Sequence, residues 1–181
     1  MAKNVVVISS SLRRGSNSDA LADEFARGAH DAGCSVEKIS LAGKTIGFCR
    51  GCLACQSLGR CVIDDDANEI MQKVLAADAV VFATPIYYYE MSGQLKTLLD
   101  RLNPMVPLDY KFREAYLLCS ATEDEDSVPE RAIRGFEGWV ECFEKCRLAG
   151  TVFAGGVTAP GDIAGHPALK KAYALGLSEA N

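Results

Sequence analysis

The chain has 181 residues, 49% of them hydrophobic, which fits one compact domain with a sizeable core. Its formal charge of −5 and the lack of a Lys/Arg-rich stretch argue against a nucleic-acid-binding surface. The N-terminal apolar run is too short for a signal peptide, and the apolar stretch 74–83 contains Asp78 and cannot span a bilayer, so we expect a cytoplasmic protein. In a reducing compartment its eight cysteines are expected to be metal-binding, redox or core residues rather than structural disulfides.

Apolar runs and helix-period patterns alternate along the chain. The predicted strands are residues 5–8, 35–40, 79–84, 114–119 and 148–154. The predicted helices are residues 18–32, a segment beginning at the acidic residues 64–66, the leucine-rich stretch 95–102, and residues 133–143 and 167–177. This alternation predicts an α/β fold, an open parallel five-stranded sheet with helices on both faces, as a single domain over residues 1–181.

Ligands of such sheets bind outside the carboxyl ends of the strands. We therefore expect the loops after the first, third and fourth predicted strands to line one site. The loop after the second strand, which contains a cluster of cysteines, opens on the same edge.

Four cysteines, Cys49, Cys52, Cys55 and Cys61, have the spacing C-x2-C-x2-C-x5-C. Short local spacings of this kind are typical of iron–sulfur clusters. Zinc modules usually draw two separated C-x2-C pairs from two knuckles. The alternatives are an unmetallated loop with reduced thiols, a structural zinc site and a regulatory disulfide. The remaining cysteines are expected to be buried core residues, namely Cys34, Cys119, Cys142 and Cys146.

A hydroxyl-rich turn, residues 9–18, follows the first strand and leads into a helix. It is neither a Walker P-loop nor a G-x-G-x-x-G turn. Serine hydroxyls and backbone N–H groups at a helix N-terminus suit a terminal phosphate, and Arg13 adds a charge-assisted contact. The alternative is an ordinary loop in which Asn17 or Ser18 caps the helix.

The third strand runs into the segment TPIYYYEMSGQ, residues 84–94. A proline followed by aromatic residues offers a rigid backbone and flat faces on which a planar heterocycle can stack. The alternative is an aromatic cluster of the core or of a subunit interface. Three consecutive tyrosines cannot all point inward, so at least one is expected to be exposed.

Three segments together resemble the flavodoxin-like NADPH-dependent FMN reductases. ISSSLRRGSNSDAL is similar to the opening I-x-G-S-P-R-x-x-G-N-S/T-x-x-L of that family. ATPIYYYEMSGQLKTLLDRL resembles its P-x-Y loop followed by S-G-x-L-K-x-x-x-D-R. CRGCLACQSLGRCVIDDD resembles the cysteine segment of a branch that includes the iron–sulfur flavoproteins. The chain departs from the pattern at Ser10, where the family usually has Gly, and at Leu12, where it has Pro. We expect Ser10 to narrow the approach to the phosphate and Leu12 to loosen the turn.

The resemblance implies a flavodoxin-like sheet with FMN as cofactor. Carried over by position, the phosphate contacts are Ser11, Arg13, Ser16, Asn17 and Ser18. The isoalloxazine contacts are Pro85, Ile86, Tyr87, Tyr88 and Tyr89, and a third loop contributes Ser120, Ala121 and Thr122. In the iron–sulfur branch, Cys49, Cys52, Cys55 and Cys61 resemble the ligands of a 4Fe–4S cluster.

The function implied is that of an FMN-dependent oxidoreductase similar to NAD(P)H-dependent FMN or quinone reductases, with NAD(P)H as co-substrate. Its acceptor is a quinone, free flavin or small organic molecule, and its assembly is a homodimer or homotetramer. A cluster would change the donor to a ferredoxin-type electron carrier. No catalytic side chain is required, because the flavin carries the electron transfer. The alternative is a non-enzymatic electron-transfer protein comparable to flavodoxin.

Overall fold

The computed structural model describes residues 2–180. The strands are Asn4–Ser9 (β1), Ser35–Ser40 (β2), Ala79–Tyr87 (β3), Glu90–Met91 (β4), Glu114–Ser120 (β5) and Arg147–Ala154 (β6). The helices are Asn17–Asp31 (α1), Cys55–Leu58 (α2), Asp66–Ala76 (α3), Gly93–Arg101 (α4), Glu130–Val140 (α5) and Pro167–Leu177 (α6). Two 3₁₀ turns, Asn103–Met105 and Ser178–Ala180, complete the regular structure of the described residues.

The five long strands form a parallel sheet in the order β2-β1-β3-β5-β6, and β4 pairs antiparallel with the end of β3. This order is that of flavodoxin-like doubly wound sheets, so the predicted fold class is confirmed. β4 and α2 were not predicted from the sequence, because at two and four residues they are too short to leave a periodic signal.

Alternate residues of the central strands enter two separate apolar cores. Val6 and Ile8 of β1 pack with α3, α4 and α5 on one face. Val5 and Val7 pack with α1 and α6 on the other face. The predicted helices therefore cover both faces of the sheet. Within residues 2–180, none of the helices is long and apolar enough to cross a membrane.

Two glycines allow α1 and α6 to touch through their backbones. A Cβ on Gly28 would collide with the carbonyl oxygen of Tyr173, and a Cβ on Gly176 would collide with that of Phe25. Side chains at these positions would push the helices apart, so this reciprocal contact fixes how α6 closes the sheet.

The cysteines outside the loop are only partly core residues. Cys34 and Cys119 are buried as predicted, and burial raises the pKa of Cys119 to about 12. Cys146 is half-buried, and burial raises its pKa to about 11. The prediction for Cys142 is wrong, because α5 ends at Val140 and the residues beyond it turn the Cys142 thiol to the surface.

A buried carboxyl group lies where the C-terminal 3₁₀ turn meets β5. Glu179 is 1% exposed, accepts a hydrogen bond from the Tyr116 hydroxyl, and lies 3.6 Å from the Lys3 ammonium. Burial raises the pKa of Glu179 above its ordinary value of 4.5, although the Tyr116 hydrogen bond acts in the opposite direction. The folded protein therefore holds this proton at pH values where the unfolded chain has released it.

We predict that Glu179→Gln flattens the fall in stability as the pH rises. A raised folded-state pKa gives stability that is present below about pH 4.5 and is lost as the pH rises through the folded pKa. Glutamine keeps an acceptor for Tyr116 without a titrating group. The measurement is the urea midpoint between about pH 4.5 and 8. The exposed Glu141→Gln is the matched control, and equal slopes for the wild type and Glu179→Gln would contradict the prediction.

Candidate cofactor site and cysteine loop

One cavity of about 130 Å³ lies at the carboxyl edge of the sheet, where the loops after β1, β3 and β5 meet. All of the predicted flavin contacts except Tyr88 and Tyr89 line it: Ser11, Arg13, Ser16, Asn17, Ser18, Pro85, Ile86, Tyr87, Ser120, Ala121 and Thr122. Val157 and Thr158 also line the cavity. These two residues were not predicted, and only the position of their loop after β6, at the same edge of the sheet, could have indicated them.

The start of α1 forms the polar wall of the cavity. Ser16 is the N-cap of this helix, and its hydroxyl accepts a hydrogen bond from the Asp19 amide at 3.1 Å. The first turn of a helix presents N–H groups that have no acceptor within the helix, and the helix dipole adds partial positive charge there. Ser11 and Ser18 bring two further hydroxyls to this wall, so the cavity is suited to an anion such as a phosphate.

Arg13 and Asn17 also connect the cavity to the loop after β6. Arg13 donates to the carbonyl oxygen of Thr158 at 2.7 Å. The Asn17 amide donates to the carbonyl oxygen of Ala159 at 3.0 Å and accepts from the Ile163 N–H at 3.3 Å. Asn17 therefore holds the β6–α6 loop with both ends of its side chain, a role that its place in the sequence does not reveal.

The tyrosine segment forms a tight hairpin. Tyr87 pairs with Glu90 across β3 and β4, which leaves Tyr88 and Tyr89 as a two-residue turn. Both have positive φ angles, 51° and 65°, as a type I′ turn requires. This conformation costs about 1–2 kcal/mol per non-glycine residue.

Only one ring of the hairpin faces the cavity. Tyr87 lines it, whereas Tyr88 is 97% exposed at the tip. The Tyr89 ring lies 5.4 Å from the guanidinium of Arg131 and outside the cavity. The expectation of at least one exposed tyrosine is confirmed, since all three rings are exposed to solvent.

A buried ion pair closes the base of the cysteine loop. Arg101 is 1% exposed and donates to both carboxylate oxygens of Asp65 at 2.7 and 2.8 Å. The same guanidinium donates to the carbonyl oxygens of Gly47 and Ile63 at 2.7 and 3.2 Å. Asp65 in turn accepts from the N–H groups of Gly47 and Ala67 at 2.8 and 3.1 Å. Both ends of the loop are thus fixed by one pair of side chains.

The electrostatics of this pair favour the ionised carboxylate. Burial acts to raise the pKa of Asp65, but the hydrogen bonds from Arg101, Gly47 and Ala67 outweigh it, and the pKa lies below its ordinary value. Both members of the pair are therefore charged in the interior, where each compensates the other.

The four cysteines of the loop lie in different environments. Cys49 and Cys52 are exposed, Cys55 is buried and Cys61 is half-buried. The Asn103 side chain donates to the sulfur of Cys55 at 3.2 Å. Among residues 2–180, no three Cys, His, Asp or Glu side chains come close enough to hold a metal ion. In this conformation the loop does not bring its thiols around one point.

The exposed thiol of Cys142 lies on the same side of the molecule as part of the cysteine loop. A cavity of about 470 Å³ is lined by Cys49 and Leu53 of the loop, by Asn103, and by Trp139 and Cys142 at the end of α5. The sequence analysis gave no indication that Cys142 and Cys49 line one cavity.

Residues 3–121 match the family model of the NADPH-dependent FMN reductases. The matched segment contains β1, the turn before α1, the cysteine loop and the tyrosine hairpin. It ends at Ala121, which lines the cavity.

An iron–sulfur flavoprotein of Archaeoglobus fulgidus is 36% identical over 99 residues, which are 55% of this chain and 45% of that protein. The chain spans about half the length of the iron–sulfur flavoproteins that it matches. A Bacillus subtilis protein whose name proposes an NAD(P)H-dependent FMN-containing oxidoreductase is 31% identical over 181 residues, covering 94% of this chain and 95% of that protein. The solved structure of an NAD(P)H:quinone oxidoreductase from Methanothermobacter marburgensis superposes with a TM-score of 0.71 at 19% identity. The superposition covers 100% of this chain and 98% of that protein. At that identity the likeness concerns the fold alone.

We predict that Asp65→Asn lowers the free energy of unfolding by about 3 kcal/mol, because it leaves the buried Arg101 charge without its counter-ion. Urea denaturation at pH 7 provides the measurement. The control is Asp66→Asn. The Asp66 carboxylate is bonded to Lys44 and Thr45 nearer the surface, so this substitution should lower the free energy of unfolding by clearly less. Equal losses for the two variants would show that the buried pair has no special role.

Proposed function

The chain belongs to the NADPH-dependent FMN reductase family, and we propose that it is an FMN-dependent oxidoreductase that accepts electrons from NAD(P)H. The observation that carries this proposal is the single cavity in which the loops after β1, β3 and β5 meet. Its polar wall at the α1 N-terminus suits a phosphate, and Pro85 and Tyr87 at the end of β3 line another part of it.

The chemistry of the cavity fits FMN. The phosphate group would be held by Ser11, Ser16, Ser18 and the N–H groups at the start of α1, with Arg13 and Asn17 beside it. Pro85, Ile86 and Tyr87 would contact the ring, together with the loop 120–122. We keep Tyr88 and Tyr89 in this proposal only as residues of the hairpin turn, because they lie outside the cavity.

Bound FMN supplies hydride acceptance from a nicotinamide and electron release to a second substrate. The residues of this chain would bind the phosphate and orient the ring against the hairpin. We assign no general acid or base. The acceptor that we propose is a quinone, free flavin or small organic molecule, and the family description supports a flavin. We also propose a homodimer or homotetramer, in which the exposed hairpin tip meets another copy.

The cysteine loop supports a second proposal, a 4Fe–4S cluster held by Cys49, Cys52, Cys55 and Cys61. Four thiolates at short spacing suit such a cluster, and several relatives are named iron–sulfur flavoproteins. As placed in this structure the thiols do not converge, so residues 48–62 would have to rearrange around the cluster. We derive no electron-transfer step through it. With a cluster, we propose a ferredoxin-type carrier as the donor.

A flavodoxin-like electron-transfer protein remains the alternative, because it would use the same cavity. Steady-state oxidation of NAD(P)H separates the two proposals. An oxidoreductase consumes NAD(P)H continuously when a quinone or free flavin is present, whereas a simple electron carrier shows redox cycling of its flavin with negligible steady-state oxidation of NAD(P)H.

We predict that Arg13→Met raises the Kd for FMN about tenfold and leaves the Kd for riboflavin unchanged. The guanidinium adds a charge-assisted contact to the phosphate, which riboflavin lacks. Quenching of flavin fluorescence measures both constants. The neighbouring Arg14→Met is the matched control, because Arg14 does not line the cavity. A similar rise in the Kd for riboflavin would show that Arg13 acts only through its hydrogen bond to Thr158.

We predict that anaerobic reconstitution with ferrous iron and sulfide gives about four iron atoms per chain and a broad visible absorption that reductants bleach. Cys52→Ser should lose both signals, and Cys142→Ser should keep them. Flavin bands with no bound iron after reconstitution of the wild-type protein would contradict the cluster proposal and leave the flavin proposal intact.

A further inference from the structure

Three buried hydroxyl groups join the turn after β1 to the base of the tyrosine hairpin. The Ser10 hydroxyl lies 3.0 Å from the carbonyl oxygen of Ala83 and 2.9 Å from the hydroxyl of Ser92. The Ser92 N–H donates to the Thr84 hydroxyl at 2.9 Å. Ser10, Ser92 and Thr84 are fully buried, so these bonds are shielded from water.

The directions of the hydrogen bonds follow from the available protons. Ser10 gives its only hydroxyl proton to the carbonyl oxygen of Ala83, so Ser92 must be the donor between the two serines. The Ser92 oxygen accepts from the Leu95 N–H at 3.3 Å as the N-cap of α4. The chain of donors therefore runs from α4 through Ser92 and Ser10 to β3.

These hydrogen bonds meet at the base of the tyrosine hairpin, whose conformation has to be restrained. Thr84 and Ser92 flank the hairpin, and the bond between them closes its base, while Tyr88 and Tyr89 at the tip have positive φ angles. Strained conformations of this kind persist only where the surrounding structure restrains them. Ser10 directly precedes Ser11 on the polar wall of the cavity, so it connects the two walls.

We propose that Ser10 is a positioning residue of the flavin site: its hydroxyl fixes the turn at the α1 N-terminus relative to the tyrosine hairpin. This inference rests on the proposed function. It also accounts for the serine at a position where the resembled family usually has glycine. The Ser10 side chain points to β3 and α4 and does not line the cavity, so it ties the two loops together and does not narrow the approach to the phosphate.

The neighbouring Ser9 offers a matched control. Its side chain is as fully buried as that of Ser10, but its hydroxyl has no hydrogen-bond partner among the described residues. Ser9→Ala therefore removes a buried hydroxyl without breaking the chain of donors. Ser10→Ala and Ser10→Gly both break it, and the second installs the residue that the resembled family accommodates.

The experiment measures the Kd for FMN, the visible circular dichroism of the bound flavin and the thermal midpoint for the wild type and the three variants. We expect both Ser10 variants to raise the Kd about tenfold, or about 1.4 kcal/mol. We also expect them to weaken the flavin dichroism, because the ring loses its fixed orientation on the hairpin. Ser9→Ala should keep the Kd within about twofold and the dichroism unchanged.

Two results would overturn the inference. The first is wild-type affinity and dichroism in the Ser10 variants, and the second is an equal loss in Ser9→Ala, which would indicate general packing. Failure of both Ser10 variants to fold would also overturn it, since the hydroxyl would then be a requirement of the whole fold.

If the wild type binds no FMN, the proposed function fails. Hydrogen exchange of the protein without flavin then tests whether the Ser10 hydroxyl restrains the hairpin. Faster exchange confined to residues 84–92 in Ser10→Ala supports this restraint, and unchanged exchange overturns it.

Discussion

Parallel pairing of the central strands is the constraint on which the candidate cofactor site depends. Because β1, β3 and β5 run in one direction, their carboxyl ends lie side by side, with Ser9 paired to Ala83 and Pro85 to Ser120. Loops that are far apart in the sequence meet at this edge. A hydroxyl-rich turn, an aromatic hairpin and a small polar loop each have an ordinary structural explanation when taken alone. Brought to one edge, they form one cavity with a polar wall and an aromatic wall.

The cysteine loop depends on a different restraint. It follows β2 in the chain, and the buried Arg101–Asp65 pair fixes its two ends. Removing two charges from water is expensive, so such a pair is retained where it also satisfies backbone groups that would otherwise be unpaired. Here the Arg101 guanidinium donates hydrogen bonds to two carbonyl groups of the loop. The Asp65 carboxylate accepts a hydrogen bond from an N–H group at the N-terminus of α3. The pair therefore acts as a clamp for the loop more than as a source of net stability.

Much of the fold could be predicted from the sequence, because long apolar runs and helical periodicities determine where the main elements form. Most residues of the cavity could also be predicted, because the family resemblance indicated them and the parallel sheet brings their loops to one edge. Tertiary contacts decided the rest. The amide of Asn17 finds its partners in a loop more than a hundred residues away, and nothing in its own segment indicates them. Cys142 was expected in the core, but the end of α5 at Val140 places it at the surface. Tyr88 and Tyr89 adopt positive φ angles that no propensity favours.

The two candidate sites therefore differ in how far they are formed before any ligand binds. The cofactor cavity has both walls in place, joined by hydrogen bonds from one loop to the next, so a ligand that binds there orders little of the chain. The cysteine loop has fixed ends and thiols that do not converge, so a ligand that gathers them must also supply the free energy of rearranging residues 48–62. Its clamp lies outside the segment that would move, which leaves the sheet and the cavity undisturbed. We therefore expect the proposed flavin site and the proposed cluster site to be independent, so that the loss of one ligand does not require the loss of the other.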